Sequence, residues 1–581
     1  MTRFYQEQLR TATTQYEQLR KQYNTFALLR LIAIIATIDY GYQTVQDGSW
    51  VKAILAVANL VLFFLLIVRH KNISLQRQIA KAKININEQE IAFLEHRTLF
   101  GDNGKEFAIP NHPFAHDLDI LGEGSLYQYL NRTHTFLGKK LLAKRLLSPT
   151  PLSIEATQQE IKALTPNLGW RQNFMAHTSL INDSAAFYQH LAQWVATPTP
   201  VLPRYVRFLL WGLPVLLLST LLLGYGWKNE ILKSLSHLLI TVNLVVFLSF
   251  IGKMTKEKLG FERAYAMLYA FKQCIEQIET HFPEKDKGAS KQIAQLSRLL
   301  DDLDSVSNIL VSVPLNIFSF YHLHRYQALL QWKKAHAREI IDWFEQVAET
   351  EVLCSFANYS YNHPDFAYPT LNKEYRIHFE SMGHPLIPDT QRICNDITLD
   401  EEHFVILTGS NMSGKSTFLR SLGVNMLLCQ MGLPVCAHKA DLHPLPLLVS
   451  MRLSDSLNEG QSYFFAEINR IQQIVQQLQQ ERCIVLLDEV LRGTNSEDKQ
   501  YGTIKIIERL LSLKALGIVA THDITVCQLA NHYPTQLQNL CFESMIVEGE
   551  LRFDYRLREG VCQNKNATFL MKKLGIIKDN E

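Results

Sequence analysis

At 581 residues, with 58 Lys+Arg against 56 Asp+Glu and a formal net charge of +2, the chain is long enough for several domains, each with its own core. The near-balanced charge calls for no polyanionic partner across the whole surface, although it leaves room for a local basic patch. Nine scattered cysteines form no Cys-x-x-Cys pair, which argues against a zinc site or a disulfide framework and fits a reducing compartment.

The chain opens on 25 polar, helix-like residues with no cleavable signal peptide in view. Two pairs of apolar segments stand out, 26–42 with 51–68 and 208–226 with 231–251. Each is close to the roughly 20 apolar residues that cross a bilayer as a helix. Arg30 and Asp39 lie inside the first segment; Lys233 and His237 lie near the start of the last, where snorkelling brings a charge to the interface. Arg3, Arg10, Arg20 and Lys21 precede the first pair, and Arg69, His70 and Lys71 follow it, while the loop QTVQDGSW between them has no Lys or Arg. Arg204 and Arg207 precede the second pair; Lys253, Lys256 and Lys258 follow it. By the positive-inside tendency, both termini and the middle region face the cytoplasm of a multi-pass membrane protein. The competing reading is four buried core helices in a soluble protein.

Between and after these pairs the pattern is helical. A polar helix is expected over 74–97, short helices over 118–200, and longer ones over 256–282, 291–313 and 332–353. In 291–313, Ile293, Leu296, Leu300, Leu303, Val306 and Leu310 recur near the helical period, with Asp301, Asp302 and Asp304 on other faces. Cys429, Cys436 and Cys483 sit among apolar neighbours and read as buried small hydrophobes. From about Tyr359 strand-like runs alternate with helical ones, which predicts an α/β domain whose sheet is parallel at least in part. The resulting division is 1–73 (N-terminal helix and first hairpin), 74–200 (helical), 201–255 (second hairpin), 256–358 (long helices) and 359–581 (α/β).

The α/β part carries the chemistry. In LTGSNMSGKSTFLRS, Gly409, Gly414, Lys415 and Ser416 satisfy Gly-x-x-x-x-Gly-Lys-[Ser/Thr], with a strand before and a helix after. Backbone from Gly409 through Ser410, Asn411, Met412, Ser413 and Gly414 to Thr417 is suited to wrap phosphate oxygens at a helix N-terminus. Lys415 then reaches the terminal phosphates of ATP, and Ser416 binds Mg²⁺. The apolar run CIVLLDEV places Asp488 beside the metal and Glu489 beside an attacking water. His522 ends another apolar strand, GIVATHD, within reach of the same phosphate; alone, it would read as structural.

TGSNMSGKST, EGQSYFFAEINRI, LLDEVLRGTNSED and VATHD, in this order, resemble the ATPase domain of the MutS family of DNA mismatch-repair proteins. GHPLI, NDITL and the closing YRLREGV agree with that resemblance, and GSLYQYLNRTHTFLGKKLLAKRLLSP is similar to the start of the family's helical core. The resemblance implies an α/β P-loop ATPase domain, ABC-like, with a mixed sheet flanked by helices. It follows an all-α core and lever region and, here, two transmembrane hairpins. It also implies a homodimer in which Ser462 of one copy completes the other's site; without the resemblance Ser462 is an ordinary loop serine. Ser410, Ser413 and Tyr463 depart from the family's usual Pro, Gly and Thr. Arg392 stands near where an aromatic residue often stacks on adenine, so either Arg392 stacks instead or the adenine contacts differ.

A mismatch reader of this family uses an N-terminal Phe-x-Glu in an α/β domain. Here Phe93–Glu95 falls in a predicted helix, about 117 residues precede the core-like segment, and the second hairpin lies where a DNA clamp is expected. Mismatch reading is therefore not expected, although DNA remains a possible partner. Arg132, Lys139, Lys140, Lys144 and Arg145 form either a phosphate- or lipid-binding patch or the solvated face of a core helix. The first reading is a membrane-anchored ATPase. The alternatives are an ABC-type transporter half, disfavoured by the absence of LSGGQ and by the short spacing between Lys415 and Asp488, and an ATP-gated scaffold without processive hydrolysis.

Overall fold

The structure is a computed structural model that describes residues 2–149, 154–257, 264–283, 288–400, 403–451, 463–491, 494–547, 550–562, 571 and 576–577. Two long helices, α1 (Thr2–Asp47) and α2 (Trp50–His96), form an antiparallel hairpin. The two helices meet through an apolar cluster of Leu19, Ile73 and Ala80, with Arg30 Nη1 3.0 Å from His70 Nδ1 and Arg77 over the Tyr23 ring at 4.0 Å. Around the turn the hairpin is bare: 6% of the most apolar window of α1 and none of that of α2 is buried. The opposite end is polar outside and buried inside, with Tyr5, Ile86 and Phe93 covered by the body of the molecule.

Five short helices follow: α3 (Leu126–Leu130), α4 (Phe136–Leu147), α5 (Ile154–Leu164), α6 (Leu168–Thr178) and α7 (Ala185–Ala196). Ser125, Thr135 and Ser184 cap α3, α4 and α7 by accepting from the backbone N–H three residues on, which satisfies donors that the helix itself leaves open. A second hairpin, α8 (Arg204–Gly226) and α9 (Glu230–Glu257), brings to four the described helices long and apolar enough to cross a membrane.

Then come α10 (Ala264–His281), α11 (Ala289–Asp304), α12 (Ile309–Ser319), α13 (Tyr321–His336) and α14 (Glu339–Asn362). Residues 258–263 of the expected 256–282 helix lie outside the described residues. The expected 291–313 helix keeps its buried stripe (Ile293, Leu296, Leu300, Leu303) but ends at Asp304. There the Ser305 hydroxyl donates to the Asp302 carbonyl at 2.6 Å and meets His322 Nε2 at 2.8 Å, offering the backbone an alternative to the next helical bond. The expected 332–353 helix is divided between α13 and α14, with Trp332, His336 and Trp343 packed in the bend.

The C-terminal part carries β1 (Thr370–Leu371), β2 (Ile377–Met382), β3 (Asn395–Leu399), β4 (Phe404–Gly409), β5 (Lys439–Leu442), β6 (Leu447–Ser450), β7 (Ile484–Asp488), β8 (Leu516–Thr521), β9 (Leu537–Val547) and β10 (Glu550–Glu559). A small sheet has the order β1-β5-β2-β3; the main one has the order β10-β9-β4-β8-β7-β6. From β9 to β6 the main sheet is parallel, with β10 antiparallel at one edge, so it is mixed, as expected. Every residue of β4 and β8 is buried, as befits parallel strands covered on both faces. The helices α15 (Lys415–Gln430), α16 (Tyr463–Leu478), α17 (Ser496–Ser512) and α18 (Leu529–His532) complete the domain.

One apolar core joins the helical and α/β parts, and a second lies within the helical part. The first runs from Phe93 through α4 and the second half of α14 (Val352, Phe356) into Leu419, Leu427, Leu486 and Ile518. The second gathers α6, α7, α10, α11, α13 and the first half of α14 (Phe344, Val347). The 24 residues of α14 thus belong to both cores. Midway along it, the buried Glu351 carboxylate accepts from the His134 N–H at 2.8 Å and from the Thr135 N–H and hydroxyl at the start of α4. All nine cysteines are free, and Cys429, Cys436 and Cys483 are buried, with their thiols pushed up to about 12.

Burial also raises the Glu351 carboxyl from 4.5 to about 7, against the hydrogen bonds it accepts. The folded chain therefore keeps a proton there that the unfolded chain has released between those two pH values. The stability this provides is full below about 4.5 and is lost as pH rises to about 7. Glu351→Gln should flatten that fall, seen as a smaller change in Tm across this range than in the parent protein.

Candidate functional site

Because β4, β7 and β8 are parallel and in register, with Thr408 beside Thr521 and Asp488 beside Ala520, the residues that follow them emerge at one edge of the sheet. Open α/β sheets bind ligands at that carboxyl edge. The loop after β4 turns into α15 at Gly414, whose φ of 103° belongs to glycine. A Cβ there would stand 3.0 Å from the Tyr555 ring, and one at Gly409 would stand 2.5 Å from Ser413 Oγ. The hydroxyls of Ser410 and Ser413 are buried without a hydrogen-bond partner. These orphaned hydroxyls, the two positions closed to a Cβ and the N-terminus of a 16-residue helix fit a phosphate cradle.

Lys415 is 6% exposed, and its ammonium donates to the carbonyls of Gly409 (2.8 Å) and Ser410 (3.1 Å) and stands 3.4 Å from His522 Nε2. Ser416 donates to Asp488 Oδ2 at 2.5 Å. His522 Nε2 meets Glu489 Oε1 at 2.6 Å. Two sets of contacts, Ser416–Asp488 and Lys415–His522–Glu489, thus meet only through the backbone at 415–416 and 488–489, and together they make one chain. A hydroxyl beside a carboxylate is the hard oxygen donor set that suits Mg²⁺ held jointly with phosphates and water. Among the described residues no cluster of three or more His, Cys, Asp or Glu offers an all-protein metal cage.

A cavity of about 580 Å³ opens beside this chain, floored by 410–417 and Glu489. Its far wall is His384, Ile387, Pro388, Ile393 and Tyr555, apolar and aromatic enough for a purine. Burial lowers the His384 imidazole to about 4, so it is neutral there, and its Nδ1 accepts from the Leu386 N–H at 3.3 Å. Arg392 does not stack in the cavity. Its guanidinium donates to the carbonyls of His384 and Ile387 and pairs with Asp389 at 2.7 Å. Met412 is 84% exposed at the loop tip. Ser462 lies outside the described residues.

Two supports were not legible beforehand. Tyr555 has φ 54° and sits in a bulge of β10, where the pairing with β9 slips between Phe553 and Leu557. Asn395 holds that bulge, donating to the Tyr555 carbonyl at 3.0 Å and accepting from the Leu557 N–H at 2.7 Å. A bulge re-aims side chains beside a site, and this one turns Tyr555 onto Gly414. Glu489 and Leu491 also have positive φ, 52° and 61°, a strain of about 1–3 kcal/mol each. The Glu489 N–H donates to the Ala520 carbonyl at 2.9 Å, and the Leu491 N–H donates to the buried Glu467 carboxylate at 2.6 Å. Glu467, within the motif EGQSYFFAEINRI, therefore holds the turn that aims Glu489.

Three of the five basic residues of 132–145 have partners within the chain, while Lys140 and Lys144 are exposed. Arg132 precedes α4 and is buried against Glu90; Arg145 lies over the Phe356 ring at 6.0 Å; Lys139 pairs with Asp102. Phe93, 1% exposed, packs on Tyr129 within α2.

A family model for MutS domain V matches residues 405–575. The DNA mismatch repair protein MutS of Thermotoga petrophila is 34% identical over 254 residues, 42% of this chain and 31% of that protein. MutS of Treponema pallidum is 30% identical over 243 residues, 40% and 26% respectively. Human MutS protein homolog 4 is 30% identical over 194 residues, 32% and 20%. The chain spans about a third or less of the length of these relatives.

Glu467→Ala strands the Leu491 N–H in a buried turn and should cost about 1–3 kcal/mol; Glu467→Gln keeps an acceptor and should cost less. Denaturant titration of the two variants measures the difference.

Proposed function

We propose that this chain, a member of the MutS family through its C-terminal domain, is a membrane-anchored ATPase with a composite site in a homodimer. The observation that carries the reading is the contact chain Ser416–Asp488 and Lys415–His522–Glu489 at the mouth of one cavity. ATP enters with its base against Ile387, Ile393 and Tyr555 and its phosphates on 409–417. The Lys415 ammonium and the N–H groups at the start of α15 meet the charge that grows on the phosphate oxygens. Glu489, aimed by its αL turn and bonded to His522, orients a water and takes its proton. Ser416 and Asp488 would hold Mg²⁺, which would supply positive charge against the phosphates.

The second copy is supported by exposed apolar residues, Met412 (84%) in the cavity lining and Phe465 (51%) on α16, which follows the Ser462 segment. The bare apolar ends of both hairpins support the bilayer as anchor, with the ATPase domain and both termini on the cytoplasmic side. ATP-driven closing and reopening of the paired domains would pass through α14 to the hairpins. DNA enters as a test arm, because Arg132, Lys139 and Arg145 have partners within the chain and only Lys140 and Lys144 of that stretch are exposed.

Glu489→Ala should retain ATP binding and lose at least about 10²-fold in hydrolysis, the range typical of a removed general base. An unchanged rate in detergent-purified protein would take Glu489 out of this role. Duplex, mismatched and branched DNA added to the same assay decides whether the activity is coupled to DNA. Co-expressed Lys415→Ala and Ser462→Ala chains, each inactive alone, should regain hydrolysis together, because a mixed dimer contains one intact composite site. Failure to regain it removes Ser462 from the partner's site.

A further inference from the structure

The helix α12 is built inside out. Its sequence ILVSVPLNIFS has no charged residue. Ser312 and Asn316 are 2% and 0% exposed, whereas Ile309 (72%), Val311 (46%), Leu315 (39%) and Phe318 (43%) face outward. A helix on a water-soluble body shows the opposite pattern, and contiguous exposed apolar faces mark interaction surfaces.

We propose that α12 is embedded in the acyl-chain region of the cytoplasmic leaflet, entering and leaving on the same side. This rests on reading α8 and α9 as membrane spans, and it goes beyond them because α12 lies outside both hairpins. Continuity is the first ground. Asn243, midway along α9 and fully buried, donates to the Ile317 carbonyl of α12 at 2.7 Å. The neighbouring outward residues Val245 on α9 and Leu222 on α8 are 60% and 75% exposed, so α12 extends a lipid-facing surface already present. The hairpin likewise buries Thr220, Ser236 and Asn243, beside Leu217, Leu239 and Phe247, while its exposed face is apolar.

Polar satisfaction is the second ground. Asn316 donates to the Ser312 carbonyl at 2.6 Å and meets His322 Nδ1 at 2.6 Å, and Ser319 donates to the Leu315 carbonyl at 2.6 Å. The Asn316 and Ser319 side chains are thus tied back to the helix or to the protein, as a hydrocarbon environment demands. Length and anchoring give the topology. Eleven residues rise about 16 Å, half of the roughly 30 Å hydrocarbon core. The flanks are pinned together by Arg325 Nε and Asp302 Oδ2 at 3.0 Å, so the chain enters and returns at one level.

The test uses the full chain in liposomes containing phosphatidylcholine spin-labelled at mid-chain. Bimane is placed by Leu315→Cys and Phe318→Cys on α12, Leu222→Cys and Val245→Cys on the hairpin, and Tyr501→Cys on α17, with the unsubstituted protein's signal subtracted. All five positions are exposed, so folding is not at stake. The expected result is loss of fluorescence at both α12 positions comparable to that at Val245→Cys, with none at Tyr501→Cys. Quenching on the hairpin but not on α12 overturns the proposal and leaves the membrane reading standing. No quenching at any position overturns the membrane reading itself. Disulfide coupling of Phe318→Cys between two copies, without lipid quenching, assigns the face to a second chain and overturns the proposal.

Discussion

The buried carboxylate of Glu90 is the constraint on which the arrangement of helices depends. It is 1% exposed near the end of α2, and a buried charge is costly unless it is paired and hydrogen-bonded. Arg132 reaches it from the segment before α4; Asn358 and Asn362 donate to it from α14 at 2.9 and 3.0 Å. Tyr5, from the first turns of α1, donates to Asn362 at 3.0 Å, and Arg171 donates to Asn358 at 3.1 Å. One acid therefore holds both helices of the first hairpin, the start of the helical body and the long strut α14 in a single register. Removing one partner of such a pair costs about 3–5 kcal/mol, so the register is steeply defined.

That joint gives the proposed coupling a physical route. The second half of α14 shares a core with the sheet and with α15, and its first half shares a core with α10, α11 and α13. A second buried pair, Lys333 with Glu257 at 3.0 Å, ties the end of α9 to α13, and Trp194 donates to the same Glu257 at 3.1 Å. Each hairpin is thus fastened by its own buried ion pair to a different core, and the two cores share one helix. A rearrangement at Gly414 or Glu489 that tilts α14 changes both fastenings at once. Packed interiors move between discrete arrangements rather than bending, which is what a two-state ATPase needs from its lever.

The legible and the illegible parts of the sequence divide on physical lines. Strand β4, the glycines of its loop and the acids after β7 were readable because their roles are local: a buried run, a turn, a helix start. The apolar stretches were readable by length alone. Arg132 and the lysines near it looked like a surface patch, because sequence shows that residues are charged but not that an acid 42 positions away takes one of them. The end of α11 at Asp304 was hidden because Val306 and Leu310 continue the helical period while Ser305 breaks it through a side-chain bond to His322. Tyr555 was hidden for a subtler reason. Phe553, Tyr555 and Leu557 alternate as a regular strand would, and only the slip against β9 shows that Tyr555 has been turned onto Gly414 in the loop after β4.

Burial follows two opposite rules in this one chain. In the α/β domain the strands bury Val, Ile and Leu and leave polar loops at the edge. In α8, α9 and α12 the polar residues Thr220, Ser236, Asn243, Ser312 and Asn316 are buried alongside Leu210, Leu217, Leu239 and Phe247, and the exposed face is itself made of Leu, Val and Phe. The reversal starts where the two regions meet. Toward its C-terminal end α9 buries Met254 and Glu257 in the ordinary way, whereas around Asn243 its outward face is apolar. A single solvent cannot favour both patterns, since exposed apolar area costs about 25 cal/mol per Å² in water and nothing in hydrocarbon. The change of rule along α9 therefore marks, to within a turn or two, the level at which water gives way to lipid in the proposed anchor. His322 and Tyr326, beside Phe247 and Phe250, lie at that level, and α12 begins and ends beside them.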